Sequence, residues 1–83
     1  MIETAKRLIE AIQEQQGYPR IEVLHTSDLV KNLGFTSLDI AQLVAMMEVE
    51  TGLDPFSSGA TIDQLSTVGS IASLYARKVE LKK

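Results

Sequence analysis

The stretch NLGFTSLDIAQLVAMMEVETG, Asn32–Gly52, joins a glycine-ended loop to a long apolar segment that ends at another glycine. Its hydrophobic residues recur at helical spacing, and Thr36 and Asp39 fit the Ser/Thr-x-x-Asp/Glu pattern of a helix start. The pattern predicts a helix from about Ser37 to Thr51, with Thr36 as the N-cap that accepts from a backbone N–H. Two hydroxyls therefore stand at this helix start, although a cap needs only one.

Ser37 follows the cap at the first helical position, where the backbone does not require its hydroxyl. A free hydroxyl beside unpaired N–H groups suits an attached phosphate, because the positive end of the helix dipole stabilises an anion by roughly 0.3–1 kcal/mol when exposed. The residues alone leave a second interpretation open, in which Ser37 is itself the cap or an ordinary surface residue.

The predicted helix carries apolar residues on two sides. Placed at 100° per step, one stripe holds Ile40, Leu43, Val44, Met47 and Thr51, and a roughly opposite stripe holds Leu38, Ala41, Ala45 and Val49. Either the helix is buried on both sides, or the second stripe docks a partner within a polar surround of Asp39, Gln42, Glu48 and Glu50. Because so short a chain has few elements to cover both sides, we favour docking.

The 83 residues predict a single domain, 1–83, with one modest core. Near the N-terminus, helical spacing predicts a first helix that ends at Gly17 and Pro19 and turns inward Ile2, Ala5, Leu8, Ile9 and Ile12. In the connection that follows, SDLVKNLG (27–34) predicts a short helical turn capped by Ser27.

The remainder of the chain also predicts helices. ATIDQL (60–65) predicts one or two turns, and STVGSIASLYARKVELKK (66–83) predicts a last helix that turns inward Val68, Ile71, Ala72, Tyr75 and Val79. No segment has the pattern of a strand pair. The fold class is therefore all-α, a small bundle with three main helices and a short extra one.

Composition excludes several classes of function. With no cysteine the chain forms no disulfide or thiolate metal site, and it fits a reducing, cytoplasmic compartment. A net charge of −3 argues against nucleic-acid binding and a helix-turn-helix DNA binder. No run approaches the ~18 apolar residues of a membrane span, so we expect a soluble, unprocessed protein. His25 has no partners at ligand spacing, and we predict neither a metal site nor catalytic residues.

The segment LGFTSLDIAQLVAMMEVETGLD resembles the acyl carrier protein family, whose motif Leu-Gly-x-Asp-Ser-Leu opens the second of four helices. The helix order along nearly the whole chain is similar to that four-helix layout. The resemblance implies that Ser37 carries 4′-phosphopantetheine, which a Mg²⁺-dependent phosphopantetheinyl transferase adds from coenzyme A. It further implies a monomeric carrier that holds acyl or aminoacyl groups as thioesters and delivers them to loading enzymes and downstream synthases or transferases.

The resemblance also assigns a partner-binding face to the second helix. The residues of this face are Leu38, Asp39, Ala41, Gln42, Ala45, Glu48 and Val49. They largely coincide with the second apolar stripe and the polar residues around it. The two lines of reasoning therefore predict the same docking surface.

Three positions depart from the family pattern. Thr36 stands where the family has aspartate, and Gln42 and Val49 take positions that are often acidic in carriers of primary fatty acid synthesis. We therefore predict a dedicated carrier that serves a specialised, secondary-metabolite-type pathway. We expect an adenylating enzyme to load this carrier. The alternative is a carrier-like helical module that binds proteins and is not phosphopantetheinylated.

Overall fold

The computed structural model describes residues 1–54 and 65–81, and these residues form three helices. They are α1 (Ile2–Gln16), α2 (Ser37–Thr51) and α3 (Val68–Leu81). The all-α prediction is confirmed, and α2 begins and ends at the predicted residues. The turns predicted within residues 60–64 and the side chain of Val79 lie outside the described part of the chain.

Each helix buries an apolar stripe, and α1 packs against both α2 and α3. The buried hydrophobic residues of the helices are Ala5, Leu8, Ile9 and Ile12 of α1, Ile40, Leu43 and Met47 of α2, and Val68, Ile71, Ala72 and Tyr75 of α3. These are residues that helical spacing placed inward. Full burial of one such aliphatic side chain stabilises the fold by about 1.5–3 kcal/mol, so the core supplies the main favourable term.

The two apolar stripes of α2 have different environments. Ile40, Leu43 and Met47 of the first stripe are buried. On the second stripe Leu38 is 75% exposed and Val49 is 86% exposed. The interpretation in which α2 is buried on both sides is therefore wrong for this fold, because α1 and the core cover only the first stripe.

The connection between α1 and α2 forms part of the core. Its buried side chains are Val23, Leu29, Leu33 and Phe35. Within it, Asp28 Oδ1 accepts from the N–H groups of Val30 (2.9 Å) and Lys31 (2.8 Å). The predicted cap at Ser27 is wrong, because Ser27 Oγ is turned inward and accepts from the N–H of Leu24 (2.9 Å). The predicted turn itself is present, because the N–H groups of Asn32 and Gly34 donate to the carbonyls of Asp28 (3.0 Å) and Val30 (3.1 Å) with the spacing of an α-helix. Asp28 caps it in place of Ser27.

Backbone hydrogen bonds fasten this connection to the start of α3. Leu29 N–H donates to the Ser66 carbonyl, and Val68 N–H donates to the Ser27 carbonyl, both at 3.0 Å. Gly69 N–H donates to the His25 carbonyl at 2.9 Å. A Cβ at Gly69 would overlap the His25 imidazole, so glycine permits this close approach. His25 is thus in contact with α3.

We expect Leu29→Ala to lower the free energy of unfolding by about 2–5 kcal/mol, because the fully buried Leu29 would leave a cavity. Val30, its neighbour, is 57% exposed. Val30→Ala is the matched control and should change stability by less than about 0.5 kcal/mol. Urea unfolding followed by circular dichroism measures both. Equal effects of the two variants would contradict the placement of this connection in the core.

Candidate functional site

The start of α2 is a reciprocal capping box. Thr36 has extended backbone angles, and its Oγ1 accepts from the N–H of Asp39 at 3.2 Å. In return, Thr36 N–H donates to Asp39 Oδ2 at 2.9 Å. Two backbone donors that the helix leaves unpaired are thereby satisfied, which confirms the predicted cap.

Ser37 lies between the two members of this box, as the first residue of α2, and is exposed. Because Thr36 supplies the capping oxygen, the Ser37 hydroxyl is left out of the cap. Among the described residues its hydroxyl has no hydrogen-bond partner. The N–H groups of Ser37 and Leu38 also stand at the open end of the helix, where no carbonyl of the same helix reaches them. The position combines an accessible hydroxyl with free backbone donors.

Asp39 is buried, with 1% of its surface exposed. The Tyr18 hydroxyl donates to Asp39 Oδ2 at 2.5 Å, and Gln16 Nε2 donates to Oδ1 at 3.1 Å. Its assignment to the partner-binding surface is therefore a mistake, and we correct it. The carboxylate faces the end of α1 because the two donors there, together with the Thr36 N–H, compensate for its removal from water.

Hydrogen bonding determines the charge state of this carboxylate. Burial alone would raise the pKa of Asp39, since it disfavours the charged form. Hydrogen bonds from the Thr36 backbone, the Tyr18 hydroxyl and the side chains of Thr36 and Gln16 outweigh burial and lower that pKa. The pKa of the Tyr18 hydroxyl is raised, mainly by its hydrogen bond to Asp39 and further by desolvation and the negative charge of Asp39. Asp39 therefore stays ionised and Tyr18 stays a proton donor around neutral pH.

The other residues predicted to bind partners line the outer side of α2. Leu38, Ala41, Ala45, Glu48 and Val49 are exposed, and we call these five residues the outer face. Gln42 is half-buried beside them, and its Nε2 donates to Gln15 Oε1 at 2.7 Å. The structure thus brings the predicted residues together along α2, except for Asp39, which points inward.

Sequence reasoning missed the contribution of α1 to this site. Gln15, Gln16 and Tyr18 reach the start of α2 from the end of α1. The only signal in the sequence is Gly17, which ends α1 and so brings the next residues close to a neighbouring element. No local pattern indicates that Tyr18 pairs with a residue 21 positions away.

Elsewhere the described residues contain no candidate metal centre and no candidate membrane span. Within residues 1–54 and 65–81, no group of three or more His, Cys, Asp or Glu side chains could hold a metal ion. In the same part of the chain no helix combines the length and apolar character that membrane crossing requires. The candidate site is Ser37 with the outer face of α2, because an accessible hydroxyl and exposed apolar side chains adjoin there.

Comparison with known proteins identifies the family. The family model for the phosphopantetheine attachment site matches residues 6–75 of the chain. An acyl carrier protein of Saccharopolyspora erythraea is 32% identical over 72 residues, which are 87% of this chain and 74% of that protein. An acyl carrier protein of Cylindrotheca is 32% identical over 82 residues, 99% of this chain and 100% of that protein. The chain belongs to the acyl carrier protein family.

A solved structure agrees with this identification. The solution structure of MacpD, an acyl carrier protein from Pseudomonas fluorescens involved in mupirocin biosynthesis, superimposes with a TM-score of 0.82 at 30% sequence identity. The superposition covers 93% of this chain and 68% of that one. Both the sequence and the fold therefore place the protein among the acyl carriers.

Membership of this family implies a covalently attached 4′-phosphopantetheine. It also implies interaction with a phosphopantetheinyl transferase and with synthase or transferase enzymes. The start of α2 fits a phosphodiester, because the N–H groups of Ser37 and Leu38 and the positive helix end favour an anion. The nearby carboxylate of Asp39 faces inward onto its own hydrogen-bond donors, which limits its repulsion of a phosphodiester on Ser37.

We expect Asp39→Asn to destabilise the protein by about 2 kcal/mol at neutral pH, because the amide replaces one acceptor with a donor and removes the charge. Since the folded pKa of Asp39 is lowered, the ionised carboxylate stabilises the fold above the unfolded pKa. That contribution is lost as the pH falls through the folded pKa, so the difference between variant and wild type should shrink below about pH 4.

Urea unfolding at a series of pH values between about 7 and 3 measures this difference. Glu22→Gln, at an exposed position of the connection between α1 and α2, is the control. A difference between wild type and Asp39→Asn that stays constant over the whole pH range would show that ionised Asp39 does not stabilise the fold.

Proposed function

We propose that this protein carries acyl or aminoacyl groups as thioesters on a 4′-phosphopantetheine attached to Ser37, and that it serves a specialised biosynthetic pathway. The attached group supplies a terminal thiol, which this cysteine-free chain lacks. A free thiol persists in a reducing compartment, which supports a cytoplasmic location. Partner enzymes perform the chemistry, and the chain contributes attachment, presentation and docking.

The position of Ser37 carries this proposal. It is an exposed serine at the first position of α2, beside a cap that another hydroxyl already completes. The reacting oxygen is therefore accessible without any loss of capping. The family model spans this position within residues 6–75, and the motif LGFTSL matches the family's attachment motif except for threonine in place of aspartate.

The outer face of α2 supports docking of the partner enzymes. It begins next to Ser37 and presents two large exposed apolar side chains, Leu38 and Val49, with alanines between them. A docked carrier raises the effective concentration of its cargo at the partner's active site. Small residues between apolar anchors let a partner helix or sheet approach the backbone of α2 closely.

The charge of this face supports a dedicated partner. Glu48 is its single ionised residue, and Gln42 beside it is neutral and hydrogen-bonded to Gln15. Apolar contacts, more than attraction to a basic surface, would then select the partner. An adenylating enzyme that loads this carrier alone fits such a surface. Efficient acylation by general fatty-acid enzymes, with no dedicated loading enzyme, would contradict the specialised pathway.

A second candidate function is a carrier-like module that binds a protein partner through the outer face and is never modified. The exposed apolar side chains of Leu38 and Val49 favour it, because they suit docking whether or not Ser37 is modified. The replacement of aspartate by Thr36 also favours it. Modification of Ser37 separates the two functions.

We expect the wild-type protein to gain the mass of one phosphopantetheine when incubated with coenzyme A, Mg²⁺ and a broad-specificity phosphopantetheinyl transferase. Ser37→Ala removes the accepting hydroxyl and should gain nothing. Ser73→Ala removes another exposed serine hydroxyl, on α3, and should be modified like the wild type. Intact-mass spectrometry measures all three. Absence of modification of the wild type by several transferases would favour the unmodified module.

We expect Leu38→Ala to raise the KM of the transferase for this carrier about tenfold, because truncation of an interface anchor weakens the binding free energy by about 1–2 kcal/mol. The side chain is exposed, so the fold should remain intact. Val30→Ala truncates an exposed apolar residue of the connection, outside α2, and should leave KM unchanged. Equal KM values for the two variants would place transferase docking away from the outer face.

A further inference from the structure

Tyr18 contacts both flanks of Ser37 from outside α2. Its ring lies against Phe35, with ring centroids 6.1 Å apart and planes inclined at 50°. Its hydroxyl donates to Asp39. Phe35 lies two residues before Ser37 and Asp39 lies two residues after it, so one side chain spans the five-residue stretch that holds the attachment serine.

The end of α1 fixes the position of Tyr18. Gly17 takes the left-handed conformation with φ 71°, and its N–H donates to the Glu14 carbonyl at 3.2 Å. Tyr18 N–H donates to the Gln13 carbonyl at 2.9 Å. These two bonds form a Schellman motif, in which glycine adopts the required backbone angles without strain. The tyrosine is therefore attached to a rigid helix end.

The hydroxyl of Tyr18 is not required by the cap of α2. Thr36 and Asp39 satisfy each other's N–H groups without it. Its additional bond goes to Asp39 Oδ2, the same oxygen that holds the N–H of Thr36. Tyr18 thus restrains the carboxylate of Asp39. That carboxylate in turn restrains Thr36, the residue before Ser37. Gln16 adds a further restraint on the other carboxylate oxygen.

We propose that Tyr18 is a positioning residue for phosphopantetheinylation, which acts through Asp39 and Phe35 to hold Ser37 in one orientation at the start of α2. The inference rests on the proposed attachment to Ser37. It assigns a role in modification to a residue of the first connection, outside the attachment motif and outside the outer face.

The reaction shows why orientation matters. Ser37 Oγ loses its proton to a base of the transferase and forms a bond to the pantetheine-bearing phosphorus of coenzyme A. The bond from that phosphorus to the leaving group breaks, and 3′,5′-adenosine diphosphate departs with the electron pair. Attack requires Oγ in line with the breaking bond, so a serine that samples several orientations reacts in a smaller fraction of encounters.

The experiment measures kcat and KM of the transferase for the wild-type carrier and for Tyr18→Phe, which keeps the ring on Phe35 and removes only the hydroxyl. We expect kcat to fall about tenfold, while KM changes less than about twofold because the outer face is untouched. Tyr75→Phe makes the same chemical change at a buried tyrosine of α3 and should leave kcat within about twofold of the wild type.

Two further measurements separate positioning from a general loss of stability. Amide exchange at Thr36 should accelerate in Tyr18→Phe and not in Tyr75→Phe, since only the first weakens the bonds around Asp39. Gln16→Ala, at an exposed position, should also lower kcat, by a smaller factor than Tyr18→Phe does. Rates are compared per folded molecule, with the folded fraction taken from circular dichroism.

The outcomes are distinct. A kcat of Tyr18→Phe equal to that of Tyr75→Phe, or a deficit that disappears per folded molecule, overturns the positioning role while attachment to Ser37 stands. If the wild type is not modified at Ser37, the proposed function fails and the positioning role fails with it.

Discussion

The carboxylate of Asp39 joins the start of α2 to the end of α1. A buried charge is costly unless hydrogen bonds replace its lost hydration, and Asp39 receives them from Thr36, Tyr18 and Gln16. These donors come from two separate segments of the chain. Thr36 and Asp39 form the cap of α2 themselves, and the docking of α1 adds the donors that offset the burial of the Asp39 carboxylate. Local and tertiary structure thus meet at the candidate site.

This constraint explains how one short helix serves two purposes. The inward side of α2, with Leu43 and Met47, completes the core, and the outer face stays in contact with solvent. Because the cap and the core hold α2 at its start and along its inner side, the exposed apolar side chains do not have to pack within the molecule. Ser37 is then an accessible group on a fixed support, next to a surface that favours protein contact.

Much of the architecture was predictable from local patterns. Helical spacing placed Ile9 and Ile12 of α1 and Ile71 of α3 in the core, and the Thr36–Asp39 pattern and Gly52 predicted both ends of α2. These predictions succeeded because periodicity and capping depend on residues a few positions apart. The errors arose where a polar side chain had more than one partner within reach, at Ser27 and at Asp39.

The sequence by itself determined the all-α class, the limits of α2 and the presence of two apolar stripes, since all three follow from spacing and capping chemistry within single segments. Only the tertiary structure decided which stripe is covered, that Asp39 faces inward, and that Tyr18 reaches across to it. The physical reason is that burial and long-range hydrogen bonds depend on which elements pack together. Residues 18 and 39 are 21 positions apart, and only the packing of α1 against α2 brings them together.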